Sequence, residues 1–229
     1  MGELSNGPVR YPDFAPVILA AGASSRMGRP KDQLQFQGLT VLALALKNCR
    51  DAGCGTPIVV TRGERAAEIR AQLALENASA TLVVNPSPEL GQTSSLRIGL
   101  QALAPKTRAF LVFPVDFPLI RAADVEELCR IFDRPEQYSS IDPNYTVRPL
   151  QAPDVVVPSF ARRRGHPVLV NARLAPRILQ LPPGAPARDV LSAPDLYTIY
   201  MEVDDDRVLV DLDTPDAYLA ALDRYRQRT

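Results

Sequence analysis

Apolar residues along the chain gather in short runs divided by polar, glycine- and proline-containing punctuation. Pro16-Val-Ile-Leu-Ala-Ala21 is an apolar run rich in branched residues and bounded by proline and glycine, which predicts a buried strand. Further strands are expected at 58–61, 81–84, 109–113, 155–157, 168–170 and 208–212. Helical spacing fills the intervals. Thr40 is placed to cap a helix over 41–53, stopped by Gly53 and Gly55, and residues 64–75 carry Ile69 and Leu73 four apart. Ser94 or Ser95 is expected to cap a helix with Leu96, Leu100 and Leu103 on one face. Helices are also expected over 122–132 and 171–181, and Thr214-Pro215 opens a last one carrying Tyr218, Leu222 and Tyr225. Strands alternating with helices predict an α/β fold: a doubly wound, mostly parallel sheet with helices on both faces. Residues 1–14 read as a flexible tail, 15–229 as a single domain, and the proline-rich stretch 133–154 as an irregular excursion.

Composition narrows the function. With 46% hydrophobic and 23% charged residues, the chain can build a core, so disorder as the main state is excluded. No apolar run is long enough for a membrane helix, and the N-terminal residues lack the apolar stretch of a signal peptide. Lys plus Arg and Asp plus Glu both number 26, which argues against a nucleic-acid binder. Cys49, Cys54 and Cys129 form no C-x-x-C pair and read as buried, reduced thiols in a cytoplasmic protein. His166 is the one histidine, so a multi-histidine metal site is excluded. A Ser-His-Asp hydrolase would have to use it, and no G-x-S-x-G elbow is present.

The segment after the first strand, Gly22 to Lys31, is small and polar and matches neither G-x-G-x-x-G nor G-x-x-x-x-G-K-[ST]. In an open α/β sheet such a loop lies at the carboxyl end of a strand, where ligands bind and backbone amides can approach a polyphosphate. Arg26 and Lys31 add positive charge there, and Lys31 is one of only three lysines in the chain. Asp116 follows another apolar strand directly, and Asp211 and Asp213 fall at the end of the expected 208–212 strand. Two carboxylate sites on separate strands suit one Mg²⁺ bound to a triphosphate. The competing reading makes Asp116 a turn residue and Asp213 a helix-capping one. Gly91-Gln-Thr-Ser94-Ser95 opens a helix and offers amides and hydroxyls to a nucleotide, or else ordinary caps. Arg162-Arg163-Arg164 beside Gly165-His166-Pro167 offers cations to an anionic acceptor, as does Arg188; the alternative is a solvated charge run.

Leu19-Ala20-Ala21-Gly22-x-Ser24-x-Arg26-Met27-Gly28-x-x-Lys31 resembles the signature of nucleotidyltransferases acting on molybdopterin, and more closely the molybdenum cofactor cytidylyltransferase branch of the MobA-like NTP transferases. Four further segments agree in order and spacing. They are Asn85-Pro86 with Gly91-x-x-Ser94-Ser95-Leu96-x-x-Gly99, then Pro114-Val115-Asp116-x-Pro118, Gly165-His166-Pro167 and Asp211-Leu212-Asp213-Thr214-Pro215. The resemblance covers about residues 16–222, with 32–36 more polar than the family pattern and 133–154 resembling an insertion. It implies a Rossmann-like nucleotidyltransferase in which an acceptor phosphate oxygen attacks the α-phosphorus of an NTP and pyrophosphate leaves, with Mg²⁺ as cofactor. It also implies CTP as donor, molybdopterin as acceptor, a molybdoenzyme or its chaperone as further partner, and neither nucleic acid nor membrane. Arg26, Lys31 and Asp116 are then the catalytic residues, and Asp116 with Asp213, preferred over Asp211, the metal ligands. Leu19, Ala20, Ala21, Gly22, Ser24, Asn85, Gly91, Ser94 and Ser95 would join Arg26 and Lys31 around the nucleotide. Arg164, Gly165, His166 and Arg188 would meet the acceptor. Ala20 and Ala21 stand where related guanylyl enzymes carry a second glycine, which implies a pyrimidine base. Alternatives are transfer to a sugar phosphate or another phosphorylated metabolite, and a non-catalytic cofactor-binding chaperone.

Overall fold

Strand β1 (Phe14–Leu19) lies in the middle of the sheet and divides its two halves. The computed structural model describes residues 9–24, 26–76, 78–138 and 151–227. After β1 come a short hairpin of β2 (Gln35–Phe36) and β3 (Leu39–Thr40), then α1 (Val41–Asp51), β4 (Ile58–Arg62), α2 (Ala66–Leu75) and β5 (Thr81–Asn85). Helix α3 (Gln92–Gln101), β6 (Ala109–Pro114) and α4 (Ala122–Asp133) follow. The remaining elements are β7 (Val155–Phe160), β8 (Arg163–Arg164), β9 (Val168–Asn171), α5 (Ala175–Leu179), α6 (Arg188–Leu191), β10 (Thr198–Glu202) and α7 (Pro215–Arg226). The sheet order is β10-β7-β9-β6-β1-β4-β5, with β8 paired to β7. All ladders of that path are parallel except those of β9, which runs against both β6 and β7. The expected doubly wound, mostly parallel sheet is therefore present.

Side chains alternate across β1 and β6. Phe14, Ile18, Leu111 and Phe113 face a core shared with α1, α2 and α4, while Val17, Leu19, Phe110 and Val112 face a second core under α3, α5 and α6. Thr40 accepts the Ala43 amide at 3.0 Å and caps α1 as the sequence predicts. Helix α3 approaches the sheet closely because Gly99 has no side chain: a Cβ there would overlap Val17 Cγ1 and press on Val60 Cγ2. The chain leaves β1 toward β4 and leaves β6 toward the opposite edge. The switch point of this topology lies between β1 and β6, where such folds open a ligand crevice.

The structure corrects several expectations. Residues 208–212 do not form a strand. Asp205 accepts the Arg207 amide and caps a 3-10 turn, Asp206–Leu209, and the chain then runs extended with no ladder. Helix α3 begins at Gln92, so Ser94 and Ser95 lie inside its first turn and do not cap it. The expected 171–181 helix divides into a 3-10 turn, Ala172–Leu174, and α5. Strand β10 was not anticipated, although Ile199 and Met201 alternate with Tyr200 and Glu202 at the strand period. Of the expected tail, Arg10 and Tyr11 are bound through their amides to the Gly53 carbonyl and Phe14 begins β1, while 1–8 lie outside the described residues. Within 133–154, Pro135–Gln137 is a 3-10 turn, and 139–150 lie outside the described residues. The three cysteines are buried and free. Among the described residues, no helix is long and apolar enough to cross a membrane.

Candidate active site

Three chain segments converge at the switch point. The first is the loop after β1. Leu19 O still accepts the Val115 amide and Ala20 N still donates to Val60 O, so the loop departs from a rigid edge. Ser24 then turns the chain. Its φ of 52° lies in the left-handed region, its carbonyl accepts the Met27 amide at 3.0 Å, and its hydroxyl accepts the Lys31 amide at 3.1 Å. With Met27 buried as an anchor, the loop returns Lys31 across the crevice. The second segment is Pro114-Val115-Asp116, which carries Asp116 off the end of β6.

The third segment carries Asp213. Val208 and Leu212 are fully buried, and the Leu212 amide donates to the Asp116 carbonyl at 3.0 Å, which brings the two acidic segments side by side. Below it, buried Arg207 donates to both oxygens of buried Asp124 on α4 at 2.7–3.0 Å. Breaking such a buried pair by removing one partner costs about 3–5 kcal/mol, so this anchor is stiff. Beyond it, Thr214 accepts the Ala217 amide and caps α7. The segment 210–213 therefore presents Asp213 without any ladder to hold it.

At the convergence, Lys31 Nζ donates to Asp116 Oδ2 at 2.8 Å and to Asp213 Oδ1 at 2.6 Å, while Arg26 donates to Asp213 Oδ2 at 2.7 Å. Burial works to lower the Lys31 pKa, but the hydrogen bonds to both carboxylates outweigh it and the net shift is upward. The Lys31 hydrogen bond holds Asp213 below its ordinary value. Asp211 behaves differently: burial first, then the negative fields of Asp213 and Asp116, push it up. Lys31 is hydrogen-bonded to Asp213 and not to Asp211.

A cavity of about 340 Å³ opens over this centre. It is lined by Leu19, Ala20, Ala21, Gly22, Ser24, Arg26, Lys31, Gly91, Ser95, Asp116 and Asp213, all expected from sequence, and also by Ala23, Asp32, Pro88, Gln92, Pro114 and Val115. Asn85 and Ser94 do not line it. The Asn85 amide group donates to the hydroxyls of Ser94 and Ser95 at 2.9 and 3.0 Å and its oxygen accepts the Ser87 amide, so these residues shape the 85–95 turn from behind. Gly91, at φ 90° and ψ 179°, occupies a region essentially restricted to glycine and starts α3 without a side-chain cap, directing the amide end of the helix into the cavity. Pro88 and Gln92 were missed by sequence reasoning; their signal is their position on either side of Gly91.

A second cavity of about 760 Å³ shares Leu19, Gly91 and Gln92 with the first. Arg162, Arg163, Arg164, Gly165, His166 and Arg188 line it, and among the described residues none that lines it is acidic. Arg164 is engaged: it donates to Ser192 Oγ at 2.7 Å and Leu191 O at 3.0 Å and so fixes α6. Ala161 and Arg162, both at positive φ, form the tight β7–β8 turn, and Arg163 begins β8. The His166 ring packs 4.9 Å from Phe117, and its buried Nδ1 has no partner. Burial lowers its pKa and outweighs the nearby Asp116 charge, so the ring is neutral at pH 7.

The family model described as the MobA-like NTP transferase domain matches residues 16–197. The chain belongs to this family. The nucleotidyltransferase is 26% identical to the molybdenum cofactor cytidylyltransferase of Escherichia coli strain K12, over 92% of this chain and 96% of that protein. It is 31% identical to the nicotine blue oxidoreductase of Paenarthrobacter nicotinovorans, over 91% of this chain and 96% of that protein. Its structure superposes on Rv0371c from Mycobacterium tuberculosis H37Rv with a TM-score of 0.72 at 26% identity, covering 92% of this chain and 97% of that one. The manganese complex of Rv0371c superposes with a TM-score of 0.68 at 24% identity, covering 92% and 98%.

Proposed function

We propose that this nucleotidyltransferase moves the cytidylyl group of CTP onto a phosphate of a molybdopterin-type acceptor in the cytoplasm, releasing pyrophosphate, with Mg²⁺ bound by Asp116 and Asp213. The observation that carries the reading is the Lys31 ammonium held between two carboxylates beside the amide-lined loop. The centre suits a hard divalent cation: its donors are carboxylate oxygens from two separate segments, and they already enclose a positive charge. When bound, such an ion neutralises charge on the triphosphate and orients it.

The protein's own groups supply the rest. Loop 20–24 and the first residues of α3 line the cavity, where they would meet the phosphates. Arg26 and Lys31 face the charge that grows on departing pyrophosphate as the bond between the α-phosphorus and its bridging oxygen breaks. The attacking acceptor phosphate is already an anion, so the step needs in-line placement more than a protein base. Arg162, Arg163 and Arg188 provide the cationic wall for that acceptor, adjoining the first cavity at Leu19 and Gly91. The Ala21 methyl narrows the first cavity and favours a pyrimidine. The test is pyrophosphate release from each of the four NTPs with purified molybdopterin: CTP with acceptor should lead, and release independent of acceptor counts against the reading.

A second reading rests on the 31% identity to an oxidoreductase. Reduction of nicotine blue by the same preparation, with a reduced nicotinamide dinucleotide supplied as the two-electron donor and oxidised in equal amount, and with no pyrophosphate formed from CTP, favours it.

A further inference from the structure

The Lys31 ammonium occupies the point at which Asp116 and Asp213 converge. Its side chain is only 16% exposed, and it touches one oxygen of each carboxylate. Arg26 covers the other oxygen of Asp213. A divalent ion shared by Asp116 and Asp213 needs the space and the oxygens that Lys31 holds. Among the described residues the further carboxylates near that point are Asp32, which lines the cavity and is paired with Arg65 at 2.8 Å, and Asp211, which lies outside its lining, so a divalent ion there meets the Lys31 charge directly. The lysine backbone is fixed through its amide to Ser24, so only the flexible four-carbon stem can relocate the charge.

We infer that Lys31 is an electrostatic latch: it keeps the carboxylate pair closed to divalent metal until a polyphosphate draws its ammonium away. The inference rests on the reading of Asp116 and Asp213 as metal ligands. Without nucleotide, metal entry strips Lys31 of two charge-assisted hydrogen bonds and leaves it beside the ion. With nucleotide bound, the triphosphate offers the ammonium an equivalent anion a short distance away, and the carboxylates are released together. Metal and nucleotide therefore bind as a positively coupled pair, and the coupling is the same read from either ligand. The latch also gives the nucleotide-free protein a satisfied set of charges, since an unpaired, half-buried carboxylate pair would repel itself.

The experiment measures Mn²⁺ binding by the loss of the free-ion electron paramagnetic resonance signal. It compares wild type and Lys31→Met, with and without the non-hydrolysable α,β-methylene analogue of CTP. Without the analogue, Lys31→Met should bind Mn²⁺ at least tenfold tighter than wild type, and the factor by which the analogue tightens Mn²⁺ should shrink at least tenfold. Equal Mn²⁺ affinity of the two free proteins overturns the latch. Binding of Mn²⁺ by neither protein even with the analogue overturns the metal reading beneath it. A second measurement needs no variant. The chain has three lysines, so lysine-labelled wild type yields three side-chain signals. Adding the analogue without metal should shift the Lys31 ammonium signal and leave Lys47 and Lys106 in place. An unmoved Lys31 signal at saturating analogue contradicts the latch.

Discussion

The two cavities at the carboxyl end of the sheet share a wall and differ in how their charges are arranged. In the first, both cations already face carboxylates: Lys31 bridges Asp116 and Asp213, and Arg26 holds Asp213. In the second, Arg162, Arg163 and Arg188 line a space in which no described residue is acidic. In the proposed latch, the first arrangement takes a polyanion by exchange, with a cation entering as the lysine turns to phosphate. The second attracts an anion outright. Leu19, Gly91 and Gln92 line both cavities, and in the proposed reading one side takes the metal-bound nucleotide and the other the acceptor phosphate.

The sharpest way to break this contrast is to remove the shared carboxylate. Asp116→Ala should lower the rate of pyrophosphate release by at least about 100-fold, because several kcal/mol of charge stabilisation is lost and each 1.4 kcal/mol is tenfold. Thermal unfolding of the variant should stay near wild type, since Asp116 is not a core residue. Turnover within twofold of wild type contradicts the assignment.

In the second cavity the effect should be smaller and of another kind. The double change Arg163→Ala with Arg188→Ala should raise KM for the acceptor about tenfold while leaving KM for CTP nearly unchanged, and the rise should weaken with added salt, because exposed cations are screened. Equal rises in both KM values would dissolve the distinction between the cavities. Within the first cavity, Ala21→Gly should narrow the preference for CTP over GTP by a few-fold, since one methyl group accounts for about 1–3 kcal/mol at most. An unchanged CTP-to-GTP ratio of kcat/KM removes Ala21 as a determinant.

The smallest expected effects concern pH. Asp213 lies below 3.8 and Lys31 above 10.5, so the bridge contributes stability between those values and loses it only as pH falls through the first or rises through the second. His166, the chain's one histidine, and Asp211, which is pushed up, also change charge between those limits. The folded pKa of His166 is depressed from 6.5, so the unfolded chain takes the proton first, and stability falls as pH drops below 6.5. The slope is at most about 1.4 kcal/mol per pH unit. His166→Gln should flatten chemical-denaturation midpoints between pH 7 and 5.5, and an unaltered slope assigns the effect elsewhere.

What was legible in the sequence follows from locality. The β1 run, the Thr40 and Thr214 caps, and the Ile69/Leu73 pair are short-range patterns, and each is present in the structure. The Ser24–Lys31 loop and Asp116 were legible because both lie directly after apolar strands. The path of 208–213 was not. Its alternating Val-Leu-Val-Asp-Leu pattern imitates a strand, while its position is set by the long-range Arg207–Asp124 pair and by Leu212 docking on Asp116. Nor does spacing reveal that Asn85 and Ser94 turn toward each other, or that Arg164 is tied to α6; both depend on partners distant in the chain or on turn geometry.

The most direct test is a crystal of the protein with the α,β-methylene analogue of CTP and Mn²⁺, examined for anomalous scattering. The account predicts one manganese peak ligated by Asp116 and Asp213, the triphosphate along loop 20–28, and the Lys31 ammonium moved from the carboxylates to a phosphate oxygen. A manganese ion away from both carboxylates, or a triphosphate seated among Arg162, Arg163 and Arg188, would contradict it.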